Sequence, residues 1–166
     1  RYVDRRLKTI YMKINIIVVG KFKETYWAQA ESEYLKRLSA WFKINIIELK
    51  EEGFTEKDDR EKIKAKEADK ILAKIPANSF VIVLDENGTE FESEKFADRL
   101  QTWLELGDEL TFILGGPLGL HSSVLQKANF KLALSKMTFP HQMARVFLLE
   151  QLYRGRMINQ NRKYHY

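Results

Sequence analysis

"ELTFILGGPLGL", residues 109–120, decides how the chain is read. Residues 109–114 are mostly apolar and favour an extended backbone, and three glycines and a proline follow within five positions. So short an apolar run suits a buried strand better than a helix. Glycine costs backbone entropy, so its repeated use directly after a strand marks a tight turn or a bare backbone surface against which a ligand can lie. Ser122 or Ser123 then offers a cap for a short helix reaching Ala128. Strand, glycine turn and helix in this order begin a parallel crossover.

The same alternation recurs on both sides. "KINIIVV" (13–19), "KINIIEL" (43–49), "SFVIVLD" (79–85) and "FKLAL" (130–134) carry the strand signature, and the turn dipeptide Asn87-Gly88 closes the third. Between the first two, apolar residues at 27, 30, 34, 35, 38 and 41 follow helical spacing. The charged segment after Glu51 becomes helical around Ile63, with Ala68, Ile71, Leu72 and Ile75 on one face. Ser93 caps a helix bearing Phe96, Leu100, Trp103 and Leu104, with Gly107 as its stop, and "SKMTFP" leads into a last helix from about His141 to Met157. Strands alternating with helices imply an α/β fold with a parallel sheet covered on both faces. With no internal repeat, low-complexity tract or linker, residues 12–166 read as one domain.

The 166 residues are 45% hydrophobic and 31% charged, the balance of a soluble globular domain. No run approaches the roughly 20 apolar residues of a membrane span. Cysteine is absent, which excludes disulfides and thiolate metal sites, and a cytoplasmic protein is expected. The net charge is +5, but residues 1–11 hold +3 of it. Met12 opens directly onto a strand, so residues 1–11 read as an upstream extension or expression remnant. The other asymmetry lies at the far end, where Arg154, Arg156, Arg162 and Lys163 follow Glu150 with no further acidic residue. A basic terminus of this kind is either a solvated end or a contact for an anionic partner.

The glycine turn lacks the dinucleotide pattern and the Lys-Ser/Thr of a phosphate loop. It is followed by a second polar loop, Ser135–His141, after the neighbouring strand, and two such loops are able to grip a flat ligand through backbone groups. His121, His141 and His165 have no partner at metal-ligand spacing, so no metal site is expected. His141 and Arg145 share a helix face, as do Glu150 and Arg154, the latter also explicable as an ordinary ion pair. In the last helix Val146, Phe147, Leu148, Leu149, Leu152 and Tyr153 spread around the whole circumference. Such a helix lies at the centre of the core or is covered in part by a second subunit.

Together these stretches carry a resemblance. "INIIVVGKFKE.YW", "VIVLDENG", "FILGGPLGL", "LSKMTFPHQMARVFLLEQLYRG" and the terminal "YH", in this order over residues 12–166, resemble the ribosomal RNA large subunit methyltransferase H family of the SPOUT class. The resemblance implies a SPOUT fold with a C-terminal trefoil knot, a homodimer and S-adenosylmethionine as methyl donor. It implies cofactor contacts at Leu84, Gly115, Leu134, Ser135, Lys136, Met137, Thr138 and Phe139. It implies as substrate a pseudouridine of 23S rRNA, methylated at N3 in the assembled ribosome. Arg154, Tyr164 and His165 match the family's substrate-side positions, reaching the partner's cofactor. Arg154 then stabilises the imide anion, His165 is the candidate base, and His141 orients this apparatus or the cofactor. Arg145, Arg156, Arg162 and Lys163 are the expected RNA contacts. Two rivals stay open: a non-catalytic ribosome-binding or assembly factor, and a methyltransferase acting on another RNA such as tRNA.

Overall fold

The computed structural model describes residues 12–106, 108–162 and Tyr164. The expectations for residues 1–11, Gly107, Lys163 and His165 lie outside them. Ten elements alternate: β1 (Met12–Val19), α1 (Thr25–Leu38), β2 (Phe42–Leu49), α2 (Arg60–Leu72), β3 (Ser79–Thr89), α3 (Ser93–Leu106), β4 (Glu109–Leu114), α4 (Ser122–Lys127), β5 (Phe130–Leu132) and α5 (His141–Asn159).

Side chains of a strand alternate between two faces, and here both are apolar. Ile14, Ile16 and Val18 of β1 join a core with α1, α3 and α5, whereas Ile17 and Val19 join one with α2 and α4. A strand apolar on both sides must be sandwiched, which gives three layers. The five strands are all parallel in the order β2-β1-β4-β3-β5, the fold class expected from the sequence.

Several boundaries differ from the sequence reading, each for a local reason. Asp59 accepts hydrogen bonds from the amides of Glu61 and Lys62, so α2 starts at Arg60 and not near Ile63. α1 ends at Leu38, where the Ser39 hydroxyl donates back to the Lys36 carbonyl, leaving Trp41 beyond it. His121, not a serine, caps α4, its Nδ1 accepting from the Ser123 amide. Asn87-Gly88 does not end β3: the strand bulges there and pairs again, Thr89 with Leu132. β5 closes at Leu132, two residues early.

The all-round apolar pattern of α5 is answered largely within the chain. α5 lies between α1 and α3, burying Val146, Leu148, Leu149, Leu152 and Met157. Gly155 faces α3, where a Cβ would make ordinary contact with Leu100 at 3.4 Å and Ala97 at 3.5 Å. Phe147, 37% exposed, is the member of the pattern left facing outward.

Candidate active site

Five parallel strands place all their carboxyl ends on one rim, and in open α/β sheets ligands bind beyond that rim. Register gathers the candidate cofactor residues there. Leu84 pairs with Leu132, and one residue past the Val83–Ile113 pair it stands level with Leu114. Gly115 and the loop 133–140 begin just above this row. Leu134, Ser135 and Phe139 are half-buried, and Lys136, Met137 and Thr138 are exposed.

The glycine turn packs largely on its own chain. A Cβ on Gly115 would meet Leu120 at 3.0 Å and the Gly119 backbone at 3.2 Å, and one on Gly116 would meet Val19 at 3.2 Å and Glu67 at 3.5 Å. The room cleared at these two glycines is filled by the chain itself, so they serve the turn's own closure. Gly119, with φ of +80° and nothing within 4 Å of a built Cβ, is the one with an open face.

Two concavities adjoin the rim. A void of about 10 Å³, room for one water, lies between the ends of β1 and β4 and is lined by Gly20, Phe22, Gly115, His141, Gln142 and Arg145. His141 Nε2 is buried there with no hydrogen-bond partner among the described residues. A cleft of about 460 Å³ lies beyond β5, between the starts of α3 and the middle of α5. Leu134 and Phe139 line it from the loop, Phe91 and Phe147 add aromatic walls, and Glu92 and Glu150 add carboxylates. The predicted cofactor residues are therefore divided: Gly115 borders the void, Leu134 and Phe139 the cleft, and the rest line neither.

Arg145, expected to contact RNA, is 5% exposed. Its Nε and one NH2 grip the Glu31 carboxylate, NH1 donates to Glu48 at 2.8 Å, and the Phe22 ring lies 4.1 Å beneath the guanidinium. All three of its nitrogens are engaged inside the chain, tying α5 to α1, β2 and the loop after β1.

Arg154 remains near the surface and paired. Glu150 accepts from its Nε at 3.0 Å and from its NH2 at 2.6 Å, which raises the guanidinium's pKa. The Tyr164 ring lies 4.9 Å from it and meets Tyr153 edge-on at 4.7 Å. Burial pushes the Tyr34 phenol of α1 up to about 12, with the neighbouring Tyr164 adding to the rise. Arg162 stands over Trp41, 5.8 Å away, and Arg156 lies near Gln160 at the end of α5. Arg154 and Tyr164 are thus brought together, whereas His141 sits at the other end of α5.

Several residues of this region escaped the sequence reading. Gly20 has φ of +96° and closes β1 against His141, and a glycine directly after "IIVV" is the same signal read at Gly115. Glu31, Glu48 and Tyr34 carried no such signal, because their partners lie far along the chain.

Among the described residues, no helix is long and apolar enough to cross a membrane, and no three His, Cys, Asp or Glu residues converge as metal ligands. Residues 12–165 match a family model described as "Predicted SPOUT methyltransferase". The chain is also 44% identical, over 152 residues, to a protein of Caldicellulosiruptor saccharolyticus named ribosomal RNA large subunit methyltransferase H. That likeness covers 92% of this chain and 99% of the relative.

Proposed function

Because the chain belongs to the SPOUT methyltransferase family, we propose that it methylates N3 of a pseudouridine in 23S rRNA within the assembled ribosome. The observation that carries this reading is the likeness to a named rRNA methyltransferase over 92% of this chain and 99% of the relative. The working unit is a homodimer, for which exposed Met137 and Phe147 supply apolar surface near the rim, and the knot implied by the family belongs to the same reading. An acceptor of this kind places the protein in the cytoplasm.

The cleft suits S-adenosylmethionine. Its volume is that of a small-molecule site, Phe91, Phe139 and Phe147 offer faces for an adenine, and Glu92 offers negative charge to a sulfonium or ammonium. Leu134 and Phe139 would hold the group from the cleft wall, with Leu84, Gly115 and residues 135–138 as the further contacts of the rim, and it would supply a methyl already activated for displacement. The chain's own task is to hold the acceptor in line and to manage a proton. N3 of the base is an imide nitrogen, so its proton must leave and the anion must be stabilised. Arg154 donates to that anion, His165 takes the proton, and Tyr164 orders the tail that brings them, working on the partner's cofactor. His141 orients the loop from the start of α5. Arg156, Arg162 and Lys163 contact phosphate, which positions the RNA without reading its sequence. Arg145 is reassigned from RNA contact to anchor of α5.

Mass spectrometry of rRNA from cells lacking the protein tests the target, and transfer of labelled methyl groups to ribosomes, free rRNA and tRNA tests the acceptor. One pseudouridine losing its methyl, with ribosomes as the preferred acceptor, is expected. An unchanged rRNA, or transfer to tRNA alone, refutes this substrate. Ribosome binding without cofactor binding would make the protein an assembly factor.

A further inference from the structure

A guanidinium and a phenol that must meet a reacting base work best when they are held still beforehand. Arg154 is held by a side chain that has no part in the function so far. Glu150 takes one whole edge of the guanidinium, Nε and NH2, and the pair is 22% and 18% exposed. The NH1 edge makes only a long contact, 3.4 Å, to the Tyr164 carbonyl, which leaves it for a stronger acceptor. The Tyr164 ring covers the guanidinium plane and meets the Tyr153 ring edge-on. Glu150 also borders the cleft that holds Leu134 and Phe139.

An exposed pair one helical turn apart would contribute only a few tenths of a kcal/mol and fix nothing. This pair is two-pronged, mostly buried, and covered by the Tyr164 ring. We propose that Glu150 is a positioning residue for methyl transfer. It sets the plane of Arg154 so that NH1 points to the anion. The inference rests on the role given above to Arg154 and Tyr164.

The test compares Glu150→Ala and Glu150→Gln with the wild type. Each is measured for turnover on ribosomes, for S-adenosylmethionine affinity by calorimetry, and for melting temperature. Glu150→Ala is expected to lower kcat about tenfold, short of the roughly 10²–10³-fold cost of removing a charge-stabilising donor itself. Glu150→Gln, which keeps one acceptor for the guanidinium, recovers part of the loss. Cofactor affinity stays at the wild-type value throughout. Wild-type turnover in Glu150→Ala, or losses that follow melting temperature and cofactor affinity, would each overturn the proposal. If the wild type methylates only tRNA, the substrate reading fails and the same comparison is decided on tRNA. If it methylates no RNA, both fail.

Discussion

Replacing Arg145 with methionine separates two roles for one side chain. In the structure its guanidinium holds the Glu31 carboxylate by two bonds, holds Glu48 by a third, and rests on Phe22. Arg145→Met keeps the apolar stem but strands both carboxylates. Breaking one side of a buried pair costs about 3–5 kcal/mol. The Glu31 side chain is only 12% exposed, so its loss is felt in full, whereas Glu48 at 35% can recruit water. The lower end, about 3 kcal/mol, is therefore expected. For a chain of this length that lowers the melting temperature by roughly 6–12 °C. Circular dichroism melts at one fixed protein concentration measure it, since self-association would otherwise shift the midpoint. Adding Glu31→Gln removes the stranded charge, so the double variant should melt above Arg145→Met alone. A variant that melts within about 2 °C of wild type, a fraction of the shift worked out above, yet binds ribosomes poorly, would refute this reasoning. Arg145 would then reach RNA, as its place in the sequence suggested.

Three further outcomes follow from individual contacts. Glu67 is 5% exposed, and burial holds its carboxyl above the ordinary range despite a bond from the Glu52 amide. The unfolded chain thus loses that proton first, and stability falls as pH rises from the ordinary carboxylate range towards the raised value. Glu67→Gln should melt higher than wild type near neutral pH, with the gain gone at pH below the ordinary carboxylate range. Gly88→Ala would set a Cβ 2.7 Å from the Lys131 carbonyl oxygen, backbone that cannot swing aside. Urea titration should report a loss of about 1–3 kcal/mol, as for other overpacked sites. Asp59→Ala removes the cap of α2 and should cost about 1 kcal/mol, a melting shift of roughly 2–4 °C, with methyl transfer unchanged.

What could be read from the sequence is local. β1, β2 and β4 stand where the apolar runs put them, because a six- to eight-residue stretch between turn signals has few other ways to be buried. The Glu150–Arg154 pair was legible as well, being set by helix geometry alone. The extension of β3 past Asn87-Gly88 was not. A turn dipeptide there competes with β5, which presses its backbone against Gly88 and recaptures Thr89. Nor was the fate of Arg145, since Glu31 and Glu48 lie 114 and 97 residues away and reach it only once the sheet is built. The glycines of residues 115–119 show the same divide. Their presence announced a special backbone, but the occupant of the space, Leu120 or a ligand, depended on how the turn closed.

α5 runs unbroken past everything of interest. It carries Gln142 and Arg145 at the void, Phe147 and Glu150 on the cleft, and Arg154 under the chain's end. One extra residue after Val146 would turn all that follows by about 100° and push it on by about 1.5 Å. Leu148, Leu149 and Leu152 would leave the core in the same stroke that swung Glu150 and Arg154 off their marks. The exposed loop 53–58, by contrast, can lengthen at little entropic cost. Length is therefore free to change before α2, but the count from His141 to Arg154 is a ruler that cannot be stretched.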